Sequence, residues 1–136
     1  MKDSQINILL IEDNLGDVHL ISELLHDAET TEFKVEQAFR LSTGIQRLAK
    51  GGIDLVLLDL GLPDSVGFET LQKLLPETKG IPVVVLTGLE DEEIGIKAVK
   101  AGAQDYLVKY QIDPLILFRS IRFAIERKRI DEIKYE

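Results

Sequence analysis

Cysteine is absent from the sequence, which excludes disulfides, thiolate metal sites and thiol catalysis. Histidine occurs only twice, at His19 and His26, both within the first helical pattern. Neither is spaced to join a carboxylate cluster, so both are expected to face solvent. Basic residues are too few to form a general nucleic-acid surface: 16 Lys and Arg stand against 24 Asp and Glu, a net charge of -8. The run Arg127-Lys128-Arg129 is flanked by Glu126, Asp131 and Glu132, and cations there complement a helix C-terminus. No apolar stretch approaches the ~20 residues of a membrane span. The start, Met1-Lys2-Asp3-Ser4-Gln5, leads straight into a strand-like run without a signal-peptide pattern, so a cytoplasmic location is expected. Repeats, low-complexity tracts and interdomain linkers are missing too.

What remains, 136 residues with 45% hydrophobic and 29% charged side chains, suits one globular domain. Ile6-Asn7-Ile8-Leu9-Leu10-Ile11 has strand length and composition. From Asp17 the period becomes helical, with Val18, Ile21, Leu25 and Ala28 on one face. Residues 33–38 alternate as a second strand. Ser42 is placed to cap a second helix that turns Ile45, Leu48 and Ala49 inward and ends at Gly51-Gly52. Residues 53–60 form an apolar run broken only by Asp54 and Asp59, as in a central parallel strand covered on both faces. A loop, Gly61-Leu62-Pro63-Asp64-Ser65, leads to a helix bearing Phe68, Leu71, Leu74 and Leu75 and closed by Pro76 and Gly80. Residues 81–87, with Pro82 at their start, make a fourth strand. A fourth helix lies within residues 88–102 and a fifth strand within 104–108. Pro114 opens a last helix to about Arg129. Five alternations predict an α/β fold with a parallel sheet, right-handed crossovers and helices on both faces. The expected division is a domain over 1–129 and a tail or linker start over 130–136.

In a doubly wound sheet, ligands sit outside the carboxyl ends of the strands. Glu12-Asp13, Asp59, Thr87, Tyr106 and Lys109 stand at or near those ends. Three carboxylates, a hydroxyl and an ammonium on one rim form a site for Mg²⁺ and a phosphoryl group. Asp59, at the tip of the most apolar strand, is the candidate nucleophile. Adjacent carboxylates repel, and a bound cation resolves that repulsion. An ammonium at a buried strand end needs an anion, which for Lys109 is expected to be Asp59 at rest and the phosphoryl group after transfer. Asp13 or Asn14 is also placed to cap the first helix.

Taken in order, these features resemble the receiver domain of two-component response regulators. The likeness spans about residues 6–129. It rests on Glu12-Asp13, Asp59 with the loop to Gly67, Thr87-Gly88, Ala101-Gly102-Ala103 and Tyr106-Leu107-Val108-Lys109. The resemblance implies a (βα)5 flavodoxin-like fold of strand order 2-1-3-4-5. It implies a phospho-acceptor, Asp59, that receives its phosphoryl group from a sensor histidine kinase's phosphohistidine. Asp13, Asp59 and the Gly61 backbone carbonyl would bind Mg²⁺ directly and Glu12 through water. Thr87 and Lys109 would contact the phosphoryl group, and Tyr106 would turn inward as Thr87 moves. The chain would be a self-modifying switch without turnover. One position departs from the family pattern: Tyr110 follows Lys109 where receivers usually carry proline. A cis non-proline bond costs roughly 2.5–4 kcal/mol, so the expectation is either a trans peptide with altered loop geometry, which is preferred, or a strained cis bond.

Two rival chemistries fit less well. A phosphohydrolase using Asp59 on a small phosphate ester would often carry a second Asp two residues on, where Gly61 stands. A flavodoxin-like cofactor binder needs a hydroxyl- or glycine-rich phosphate loop after the first strand, where Glu12-Asp13 would repel an anion. For output, Leu117, Phe118, Ile121 and Ile125 make one apolar stripe on the last helix. Ile116, Phe123 and Ile130 make a second on roughly the opposite face, which suggests a partner or dimer surface along the fourth helix, fifth strand and fifth helix. The chain is either a stand-alone regulator or part of a longer one.

Overall fold

The computed structural model of the chain describes residues 4–28 and 31–134. Met1, Lys2 and Asp3 of the predicted lead-in, and Tyr135 and Glu136 of the predicted tail, lie outside the described residues. Five strands form one parallel sheet: β1 (Ser4–Ile11), β2 (Thr31–Ala38), β3 (Leu55–Asp59), β4 (Val83–Thr87) and β5 (Asp105–Val108). Their order is β2-β1-β3-β4-β5, as the resemblance implied. The helices are α1 (Leu15–His26), α2 (Leu41–Ala49), α3 (Phe68–Thr78), α4 (Glu92–Ala101) and α5 (Pro114–Lys134).

β3 and β4 are buried along their whole length because helices cover both faces. Successive side chains of a strand point to opposite faces, so each strand feeds two cores. Leu9, Ile11, Val56, Leu58, Val83 and Val85 pack with α2, α3 and α4. Ile8, Leu10, Leu55, Leu57, Val84 and Leu86 pack with α1 and α5. Each fully buried Leu or Ile contributes about 1.5–3 kcal/mol relative to exposure. Helix α2 packs tightly on the sheet at Gly44, where an added Cβ would collide with the Ile11 side chain.

Local signals and structure differ at several places. Ser42 does not cap α2: Arg40 is the N-cap residue and makes no side-chain cap bond. The Asp64 carboxylate does the work from the loop after β3, accepting the Leu41 and Ser42 amides at 2.9 and 3.0 Å. Its slight burial works against the charge, yet these amides outweigh it and hold the carboxyl below its ordinary value. Ala49 is exposed, and Leu41 and Gly44 take the inward positions with Leu48. Pro76 lies inside α3 rather than closing it, and its missing N–H removes one i→i−4 hydrogen bond two residues before the helix ends. The helix stops after Thr78, where Lys79 adopts φ 49° and Gly80 φ 92°. Between Asp59 and α3, the pairs Gly61–Leu62 and Ser65–Val66 form a small antiparallel ladder. Helix α5 continues to Lys134, beyond the predicted Arg129.

Candidate functional site

Register builds the site. Ile11 is opposite Leu58, so the next residues, Glu12 and Asp59, come side by side beyond the sheet edge. Asp59 is opposite Leu86 and Thr87 opposite Val108, which sets Thr87 and then Lys109 along the same rim. Glu12, Asp59, Thr87 and Lys109, together with Asp13, Asp17, Gly61 and Tyr110, line one cavity of about 640 Å³. Glu12, Asp13 and Asp59 each present a carboxylate oxygen, and these three atoms lie within 4.8 Å of one another. Glu12 is fully buried, Asp59 nearly so, and Asp13 is exposed. Oxygen donors of this kind, two buried and one open to solvent, match a hard divalent cation.

The electrostatics are those of a site short of positive charge. Burial first, and then the Asp59 charge, push the Glu12 carboxyl up to about 7. Burial also raises Asp59, and the Lys109 charge offsets only part of that rise. The Lys109 ammonium lies 3.5 Å from Asp59 Oδ1, 3.3 Å from Glu12 Oε2 and 2.9 Å from Asp17 Oδ2. Burial works against its charge, but the Asp17 hydrogen bond and the charges of Asp59 and Glu12 prevail and hold it above its ordinary value. The resting partner of Lys109 is therefore shared, with Asp17 nearest, rather than Asp59 alone. The sequence shows nothing local that would pick out Asp17, because its partners are 92 and 93 residues away.

Asn14 settles the capping question at α1, its side chain accepting the Asp17 amide at 3.0 Å. That leaves Asp13 free of the cap. Glu12 Oε1 accepts the Asn14 amide at 3.1 Å, which orients its other oxygen toward Lys109. The Thr87 hydroxyl is buried and donates to the Leu107 carbonyl at 3.4 Å. Tyr106 is turned toward α4, its hydroxyl donating to Glu92 Oε1 at 3.1 Å. Its ring lies over Gly95, where an added Cβ would stand 2.5 Å from Cδ2. The Lys109–Tyr110 peptide is trans, as expected, and the two residues begin a 3-10 turn over Lys109–Gln111. His19 and His26 are exposed, and neither lines this cavity. Ile116, Phe123 and Ile130 are about half exposed on α5, while Leu117 and Ile121 are buried.

The chain matches the family model described as the response regulator receiver domain over residues 8–120. It is 36% identical over 104 residues to the probable transcriptional regulatory protein SilR of Salmonella typhimurium, covering 76% of this chain and 44% of that protein. The KDP operon transcriptional regulatory protein KdpE of Escherichia coli is 38% identical over 104 residues, with 76% and 44% covered. A solved response regulator receiver domain protein from Clostridium thermocellum is 29% identical. It superposes with a TM-score of 0.78 over 92% of this chain and 98% of that one. The chain spans less than half the length of these curated relatives.

Proposed function

The chain belongs to the response regulator receiver family of two-component signalling, and from that premise we propose that Asp59 is its phospho-acceptor and that Mg²⁺ is its cofactor. The observation that carries this reading is the meeting of three carboxylate oxygens within 4.8 Å with an ammonium 3.5 Å from Asp59. Asp13, Asp59 and the Gly61 carbonyl would hold Mg²⁺, with Glu12 acting through water. When bound, the ion neutralises charge on the phosphoryl oxygens. An Asp59 oxygen attacks phosphorus in line with the breaking N–P bond of a kinase phosphohistidine. The products are an aspartyl phosphate and a free imidazole, which keeps the bonding electron pair. Lys109 and the Thr87 hydroxyl then face the new phosphoryl group. Gly61, two residues after Asp59, cannot act as acid or base, which disfavours turnover of small phosphate esters.

For output, Thr87 moving toward the phosphoryl group frees space that Tyr106 can fill, releasing Glu92 and altering the face formed by α4, β5 and α5. A phosphoryl group that favours one of two pre-existing arrangements shifts their populations. Ile116, Phe123 and Ile130 on that face would contact a second copy or a protein target. The receiver spans 1–129 in this reading, acts in the cytoplasm and needs no nucleic acid or membrane. None of the described helices is long and apolar enough to cross a membrane.

Intact mass after treatment with acetyl phosphate and Mg²⁺ tests the site. Wild type should gain one phosphoryl group, whereas Asp59→Asn, or wild type in excess chelator, should gain none. Equal labelling of Asp59→Asn would end the assignment.

A further inference from the structure

Asp17 stands in the first turn of α1 and has no part in the chemistry assigned above. An acidic residue there would ordinarily favour the helix N-terminus from solvent. This one is instead buried, 6% exposed, and Asn14 already supplies the cap. Both of its carboxylate oxygens are engaged by the segment that follows β5. Oδ2 accepts from the Lys109 ammonium at 2.9 Å and Oδ1 from the Tyr110 hydroxyl at 3.0 Å. Consecutive residues of one tight turn thus straddle a single carboxylate from the opposite end of the chain.

The ammonium has three N–H donors and three carboxylates around it. Its Asp17 contact is the shortest; those to Glu12 and Asp59 are 3.3 and 3.5 Å. Charge-assisted bonds strengthen as they shorten, so Asp17 dominates the resting position of Nζ. The Tyr110 hydroxyl holds the second oxygen and keeps the carboxylate from rotating away. If Asp17 lost its charge, the ammonium would close on the two remaining acids. A closed Lys109–Asp59 pair would cover the nucleophile and oppose cation entry.

We propose that Asp17, braced by Tyr110, is a positioning residue for phosphoryl transfer: it draws the Lys109 ammonium back from Asp59 while keeping it within reach of the incoming phosphoryl group. This rests on the reading of Asp59 as acceptor. The residue acts through Lys109 and touches neither donor nor product.

The test is the labelling rate with acetyl phosphate and saturating Mg²⁺, followed by intact mass, for single and double variants. Asp17→Asn should label about tenfold more slowly, in line with the cost of misplacing a catalytic group. Tyr110→Phe, which removes one hydrogen bond and no charge, should slow labelling about threefold by the same reasoning. In a Lys109→Gln background, Asp17→Asn should change the residual rate by less than about twofold, because its route of action is gone. Wild-type rates for Asp17→Asn would overturn the proposal and leave the Asp59 assignment standing. So would an undiminished effect in the Lys109→Gln background, which would mark a structural role. Should Asp17→Asn not fold, Tyr110→Phe in the same cycle decides. Failure of wild type to label would overturn the Asp59 reading and this one with it.

Discussion

Glu12 offers the sharpest physical test of the site, because it is a fully buried acid beside another acid. Its carboxyl is pushed up to about 7 from 4.5, by burial first and by Asp59 second. Between those values the folded protein keeps a proton that the unfolded chain has released. Stability from this group is therefore fully present below pH 4.5 and is lost as pH rises through 7. A displacement of roughly 2.5 corresponds to a ceiling of about 3 kcal/mol. Lys109 can follow the new charge and Asp59 shares the proton, so about 1.5–3 kcal/mol is a fair range. For a domain of this size that lowers the thermal midpoint by about 6–12 °C between pH 5 and 8.5. Glu12→Gln keeps an acceptor for the Asn14 amide and removes the titration. In excess chelator, urea or thermal melts of the variant should lose less stability over this window, by the same 1.5–3 kcal/mol. With saturating Mg²⁺ the wild-type loss should shrink, since the cation binds the ionised acids. Parallel pH profiles for variant and wild type in chelator would refute the account of Glu12 as a buried acid that resists ionisation.

Asp13→Asn should raise the midpoint in chelator by about 2 °C, relieving repulsion at an exposed position, and should abolish stabilisation by Mg²⁺. A lower midpoint in chelator would show that crowding of the acids is not a cost. Gly95→Ala should expel the Tyr106 ring from its seat on α4, since a Cβ there would stand 2.5 Å from Cδ2. Loss of nuclear Overhauser contacts between Tyr106 and α4 checks this, and an unmoved ring would contradict the packing. Phe123→Asp, at a side chain 55% exposed on α5, should weaken association of the beryllofluoride-treated protein about tenfold in ultracentrifugation. Labelling at Asp59 should persist, and unchanged association would place the output surface elsewhere, with the exposed Leu15 and His19 on α1 the next residues to substitute.

Much of this protein was legible one segment at a time. The runs around Leu9, Leu57 and Val84 are apolar at nearly every position because helices bury both faces of a parallel sheet, and that need is written into each strand separately. The acids at Glu12-Asp13 and Asp59 end such runs, so their convergence followed from the fold class once the alternation of elements was read. Helix ends were less legible, because distant groups can satisfy their backbone donors. Asp64 caps α2 from 22 and 23 residues away, and no pattern within α2 points to it. The need for glycine at residues 44 and 95 arises only where Ile11 and Tyr106 press against the helices. The clearest case is Asp17, which reads as an ordinary acid in a first helical turn. Tertiary structure alone set its carboxylate between Lys109 and Tyr110. A hydrogen bond depends on positions in space, and residues 92 and 93 places apart meet only when the sheet has closed.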